Sequence, residues 1–161
     1  LILKILEILN VDKKVYGYDT FELGFDKLSD KDTDIKGKKI EKLQFDKNFF
    51  PTKKQVVDTL LKFNIDKSLM PNLIEGKTQD TLCLNENVPD LISFLRLDTD
   101  IYEPTIDQLN KLYPRLSKGG ILHIDDYGHC PGVKKAVDEY FVNKKIWLHR
   151  IDYTCRLLIK D

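Results

Sequence analysis

The chain is short of cysteine. Cys83, Cys130 and Cys155 are the three it has, and none takes CxxC spacing. An odd, dispersed set argues against a disulfide framework or a zinc site and points to reduced thiols in a cytoplasmic protein. Long apolar runs are missing too. No stretch approaches the ~18–20 residues that a membrane span requires. The opening Leu1 to Leu6 is too short and lacks a signal-peptide cleavage pattern. The eight glycines never take G-x-G-x-x-G or G-x-x-x-x-G-K-[ST] spacing. A phosphate cradle for NAD or ATP is therefore unsupported. Charge of one sign is not in excess, with 26 Lys plus Arg against 26 Asp plus Glu. Zero net charge argues against nucleic acid and anionic membranes as partners, because both demand a basic excess.

What remains is ordinary globular material. Apolar residues make up 42% and charged residues 32% of 161 positions, which excludes a disordered chain and predicts a single domain over 1–161. Apolar positions in 1–10 recur at helical spacing. Lys14 to Asp19 reads as a strand. Residues 20–50 are dense in Lys and Asp, a pattern that predicts a solvated loop, long enough to help close a binding site. Thr52 is the predicted N-cap of a helix over 53–64. Asn72 to Glu75 reads as a strand and 79–83 as a helical turn. Leu91 to Leu97 (LISFLRL) is nearly all apolar, which predicts a strand buried on both faces. A helix follows, with Pro104 in its first turn and Gly119-Gly120 as its stop. Ile121 to Ile124 (ILHI) reads as a buried strand, 132–142 as a helix, and Ile146 to Ile151 with Arg156 to Ile159 as a closing hairpin turning near Tyr153-Thr154. Alternation of this kind predicts an α/β fold: a mostly parallel sheet, helices on both faces and one antiparallel edge.

The chemistry gathers at strand ends. Asp98 and Asp100 follow LISFLRL; Asp125 and Asp126 follow ILHI. One helix and one strand separate the two groups, so a right-handed crossover would make the strands neighbours about 4.8 Å apart. In open α/β sheets ligands bind outside the carboxyl ends of strands. Converging carboxylates repel one another, and a hard divalent cation relieves that repulsion. Oxygen-only ligation by Asp98, Asp125 and Asp126 suits Mg²⁺, Mn²⁺ or Ca²⁺. Asp19, at the end of KVYGYD, is placed to accept hydrogen bonds from ribose hydroxyls, or to form a turn. Gly76 to Asp80 follows NLIE, where a polar side chain could meet an adenine edge or cap a helix. His123 falls in a buried strand, as a packing residue or a hydrogen-bonding support behind the site; His129 follows the DDY turn, where it could face a substrate.

At these residues the sequence resembles the macrocin O-methyltransferase family. LRLDTDIYEPTIDQLNKLYPRLSKGGILHIDDYGHCPGVKKAVDEYF is similar to that family's core, VYGYDTFELGF to its second-strand signature and HRIDYTCRLLIK to its closing hairpin. The resemblance runs from about residue 15 to the end. It implies a Rossmann-like class I fold and an S-adenosylmethionine-dependent O-methyltransferase acting on a hydroxyl of a sugar or glycosylated natural product. It implies Mg²⁺ held by Asp98, Asp125 and Asp126, with Asp98 also the general base. Asp19, with Thr20 beside it, would hold the cofactor ribose. Gly76, Thr78, Gln79 and Asp80 would border the adenine, as in catechol-type methyltransferases. Pro104 stands where the family more often has a small hydroxyl residue.

Class I methyltransferases begin with a strand and a glycine-rich turn. Here the chain opens in what reads as the following helix, and it starts at Leu1 rather than Met. The expectation is an incomplete domain, a fragment lacking the first strand and glycine loop. Two other readings use the same residues: a Mg²⁺-binding phospho-acceptor receiver module, in which the order of the acids would be reversed, and a non-catalytic remnant. The acceptor's identity and a homo-oligomeric state stay open.

Overall fold

The computed structural model describes residues 1–24, 28–41 and 50–161. These divide into two compact units, one of residues 1–24 and 50–77, the other of residues 28–41 and 78–161. Among the described residues no helix is long and apolar enough to cross a membrane.

The first unit holds α1 (Ile2–Ile8), β1 (Tyr16–Asp19), α2 (Lys53–Lys62) and β2 (Asn72–Glu75). Strands β1 and β2 pair in parallel, with Tyr16 opposite Asn72 and Asp19 opposite Glu75. The two carboxyl ends are therefore level. Helix α2 starts where the sequence places it. The Thr52 hydroxyl accepts from the Gln55 amide at 3.1 Å, and the Gln55 side chain accepts from the Thr52 amide at 2.7 Å. This reciprocal capping box satisfies two amide donors that a helix start otherwise leaves open.

The second unit holds α3 (Thr78–Thr81), β3 (Ile92–Leu97), α4 (Tyr102–Leu112), β4 (Leu116–Ile124), α5 (Pro131–Phe141), β5 (His149–Arg150) and β6 (Arg156–Ile159). Its sheet runs in the order β3-β4-β6-β5. The β3–β4 pair is parallel, with Leu97 opposite Ile124, and β6 pairs antiparallel with both β4 and β5. The predicted crossover and closing hairpin are both present. In the hairpin only His149 and Arg150 pair as β5, a shorter strand than the sequence suggests.

One face of this sheet is the core. Leu97, Leu122, Ile124 and Leu158 lie there with Leu109 and Leu112 of α4 and Ala136 and Val137 of α5, all at most 2% exposed. The opposite face carries Arg96 and Phe94, the latter 44% exposed. This corrects the expectation that LISFLRL is buried on both faces. The pleat turns alternate side chains to opposite faces, and among the described residues only the face towards α4 and α5 is covered, so Phe94 and Arg96 point outward from a mostly apolar run. A second correction concerns the end of α4. The helix stops at Leu112, because Pro114 has no amide to continue it and a short 3-10 turn, Tyr113–Arg115, follows. Gly119 and Gly120 sit inside β4, which begins at Leu116. The Lys160 ammonium takes up the carbonyls of Tyr113, Pro114 and Leu116 at 2.6–3.1 Å.

Leu122→Ala, at a fully buried position, should cost about 2–5 kcal/mol in urea unfolding. Phe94→Ala on the open face should change stability by less than ~1 kcal/mol. Equal costs would show that the two faces are equally buried.

Candidate functional site

Strand β3 delivers Asp98 and β4 delivers Asp125, and the two meet because the ladder continues past both strands: the Asp125 amide donates to the Leu97 carbonyl at 2.9 Å. One carboxylate oxygen each from Asp98, Asp125 and Asp126 lies within 4.8 Å of the others. Asp100, Asp126 and Cys130 form a second group of the same span. The trio expected from sequence is brought together, and Asp100 joins it as a fourth acid.

Arg96, two residues before Asp98 and on the open face, bridges the cluster. One guanidinium nitrogen donates to Asp98 and the other to Asp125, both at 2.5 Å. Burial pulls the Arg96 pKa down, but the two carboxylates outweigh it and hold the guanidinium charged. The Asp100 carboxyl is pushed up to about 7, first by burial, then by the hydrogen bond and charge of Asp126, then by Asp98 and Asp125. The Cys130 thiol is pushed up to about 12 by burial and by Asp126, Asp100, Asp32 and Asp125. The Cys130 sulfur borders Asp100 and Asp126, while the group of Asp98, Asp125 and Asp126 offers oxygens alone.

Asp100 and Asp126 both take left-handed backbone conformations, with φ of 60° and 55°. Such a turn costs a non-glycine residue roughly 1 kcal/mol or more and persists where surrounding contacts impose it. At Asp126 those contacts are visible: its carbonyl accepts the amides of His129 and Cys130 at 2.9 and 2.7 Å. Beside it, the Gly128 amide donates to the Thr154 carbonyl at 2.8 Å. A Cβ on Gly128 would meet the Tyr153 carbonyl oxygen at 1.9 Å, so only glycine allows this approach. Thr154 in turn lies 3.4 Å from an Asp125 oxygen through its hydroxyl. His129 rests edge-on against Tyr153, ring centres 5.8 Å apart. His123 takes the hydrogen-bonding side of its reading: its Nε2 lies 3.1 Å from the Cys155 sulfur, and its buried Nδ1 has no partner among the described residues.

The remaining predicted residues fall in two places. In the first unit Asp19 and Gly76 stand at the level carboxyl ends of β1 and β2, the Gly76 amide donating to the Asp19 carbonyl at 3.0 Å. One Asp19 carboxylate oxygen accepts the Phe21 amide at 2.6 Å across Thr20, so the turn-forming role holds. In the second unit Thr78, Gln79 and Asp80 form α3, with Thr78 buried and Asp80 exposed.

Sequence reasoning missed three residues. Asp100 sits two positions from Asp98 in LRLDTD and could have been included by that spacing. Arg96 carries no distinguishing signal in a strand read as wholly buried. Asp32 belongs to the charge run read as a solvated loop, yet it is 2% exposed. That reading is corrected at this residue: the carboxylate is inside because it accepts hydrogen bonds from the Ser29 amide and hydroxyl and from the Tyr102 amide. The remainder of the loop expectation at residues 25–27 and 42–49 lies outside the described residues.

The family model described as macrocin-O-methyltransferase (TylF) matches residues 2–160. Demethyldecarbamoylnovobiocin O-methyltransferase of Streptomyces niveus is 53% identical over 51 residues, 32% of this chain and 20% of that protein. Mycinamicin III 3''-O-methyltransferase of Micromonospora griseorubida is 50% identical over 50 residues, 30% of this chain and 19% of that protein. Among solved structures, the O-methyltransferase NovP superposes with a TM-score of 0.79 at 26% identity, covering 99% of this chain and 65% of that one. The calicheamicin methyltransferase CalS11, at 21% identity and a TM-score of 0.70, shares the fold. The matched segments thus span about a fifth of the curated relatives, and the chain spans 65% of NovP. The fold is the Rossmann-like class I methyltransferase fold expected from the sequence.

The raised Asp100 carboxyl has a signed consequence for stability. Its folded pKa of about 7 lies above the ordinary 3.8, so folding favours the protonated form. Stability conferred by that proton is complete below pH ~4 and is lost as pH rises towards 7. In EDTA, the melting temperature of Asp100→Asn should match the wild type near pH 4.5 and exceed it progressively up to pH 7.5. A pH-independent difference would show that Asp100 does not titrate in this range.

Proposed function

The chain belongs to the macrocin-O-methyltransferase family, and from that premise we propose that it transfers a methyl group from S-adenosylmethionine to a hydroxyl of a glycosylated small molecule. The observation that carries the reading is the convergence of Asp98, Asp125 and Asp126 at the ends of two adjacent parallel strands. It is supported by the names of the relatives, O-methyltransferases of demethyldecarbamoylnovobiocin and of mycinamicin III.

The residues present fit a hard divalent cation: Asp98, Asp125 and Asp126 offer carboxylate oxygens alone, and burial together with the neighbouring acids biases Asp100 towards protonation. Asp98, Asp125 and Asp126 would hold Mg²⁺, which when bound lowers the pKa of an acceptor hydroxyl and fixes its direction. Asp98 receives the acceptor proton, from a position at the strand end with its side chain 44% exposed. Arg96 spans Asp98 and Asp125 and keeps the two carboxylates at a set separation. Asp19, exposed at the end of β1 with Thr20 next to it, accepts from the cofactor ribose. Gly76, Thr78, Gln79 and Asp80 border its adenine. S-adenosylmethionine supplies the methyl group, and alignment of the hydroxyl with it provides much of the rate.

Methyl transfer to a panel of deoxysugar glycosides, read by mass spectrometry, tests this. Asp98→Asn should lose at least ~100-fold in turnover with its melting temperature little changed, and excess EDTA should stop the wild type. Undiminished turnover in either case would reject the reading.

A further inference from the structure

The helices that follow the two acidic turns both begin without a cap of their own. Ile101 precedes α4 and Cys130 precedes α5, and neither side chain accepts an amide. First-turn amides left unpaired in a buried setting are costly, and most helices meet the need with an adjacent Ser, Thr, Asp or Asn. Here the acceptor comes from far away in sequence. One Asp32 carboxylate oxygen accepts the Tyr102 amide, the first of α4, at 2.7 Å. The same oxygen lies against Gly132 in the first turn of α5: a Cβ there would sit 2.1 Å from it and 3.2 Å from the Tyr102 nitrogen. The other Asp32 oxygen accepts the Ser29 amide and hydroxyl at 2.8 and 2.9 Å.

Asp32 is itself well anchored. Its carbonyl accepts the Ile40 amide at 2.9 Å, and Thr33 bridges Lys39. Lys31 places its ammonium 3.6 Å from the centre of the Tyr102 ring, and the Tyr102 hydroxyl donates to Glu139 of α5. A buried negative charge thus lies where the positive ends of two helix dipoles approach each other. Each of those ends is the direct continuation of an acidic turn, 98–101 for α4 and 125–130 for α5.

We propose that Asp32 is a positioning residue for the acid cluster: by closing the start of α4 and seating against Gly132 of α5, it holds the turns bearing Asp98, Asp100, Asp125 and Asp126 at the spacing a divalent cation requires. The metal part of this inference rests on the function proposed above; the capping part does not. Asp32 touches none of the cluster acids through a hydrogen bond and acts through Tyr102 and Gly132. Glycine at 132 is a requirement of this contact. Gly→Ala inside a helix ordinarily stabilises, whereas here it would push the carboxylate out.

The test uses Mn²⁺ as the probe, titrated by electron paramagnetic resonance into the full chain well below its melting temperature, alongside hydrogen exchange at the amides of residues 100–103. Asp32→Ala should weaken Mn²⁺ binding about tenfold or more and lower protection of the Tyr102 amide. Asp32→Asn keeps one acceptor oxygen for the Tyr102 amide but turns a donor towards the Ser29 amide and removes the charge. It should therefore recover part of the Tyr102 protection and fall between Asp32→Ala and the wild type in Mn²⁺ affinity. Gly132→Ala should behave like Asp32→Ala, and it keeps the test informative should Asp32→Ala fail to fold. Unchanged Mn²⁺ affinity and unchanged protection in Asp32→Ala and Gly132→Ala would overturn the proposal. If the wild type binds no Mn²⁺ but the variants still lose protection at Tyr102, the metal reading fails and the capping role stands. If the wild type binds no Mn²⁺ and protection is unchanged, both fail.

Discussion

Negative charge crowded at the ends of β3 and β4 is the constraint to which the second unit is built. Parallel pairing holds adjacent strands about 4.8 Å apart, and the register that sets Leu97 opposite Ile124 brings Asp98 beside Asp125. Two carboxylates at that distance repel by about 3–4 kcal/mol at an effective dielectric constant near 20. Asp126 and Asp100 add to the sum. Two features answer it: the Arg96 guanidinium across Asp98 and Asp125, and the Asp100 carboxyl biased towards its protonated form. Each lessens the repulsion while one oxygen each of Asp98, Asp125 and Asp126 stays within 4.8 Å of the others.

Holding such an arrangement requires a rigid base. The face of the sheet opposite Arg96 supplies it, because Leu97, Leu122, Ile124 and Leu158 are buried to within 2% against α4 and α5. Close packing leaves those strands little freedom to slide, so the acids cannot relax apart by moving the backbone beneath them. The left-handed turns at Asp100 and Asp126 absorb what strain remains. The Thr105 hydroxyl, fully buried, ties the start of α4 to Thr99 and to the Ile101 carbonyl at 2.8 and 2.7 Å.

The site is closed from outside its own strands. The approach of Gly128 to Tyr153 brings the turn after β5 against the turn after β4 and puts Thr154 beside Asp125. Asp32 acts at one remove, on the starts of α4 and α5 that continue from the acidic turns. A cluster formed by four acids in two short segments therefore draws on segments from residue 29 to residue 155. This is how a fold that serves many chemistries adapts its strand ends: the sheet supplies position, and the loops supply the groups that fix and shield it.

The sequence by itself determined the element order, the crossover joining LISFLRL to ILHI and the convergence of Asp98, Asp125 and Asp126. These follow from short-range periodicity and from the handedness of one connection, both local properties. Thr52 was legible as a cap for the same reason: its partner lies three residues away. Only the tertiary structure decided the rest. An apolar run such as 91–97 cannot say how many of its faces are covered, so Arg96 went unread as the bridge of the site. Pro114, which stops α4, was legible locally, whereas the place of Gly119 and Gly120 inside β4 was set by the pairing of that strand with its neighbours. Asp32 stood hidden in a charge run, since burial of a carboxylate depends on donors supplied from 70 residues away. Long-range partners decide whether a polar side chain is solvated or enclosed, and no local pattern carries that information.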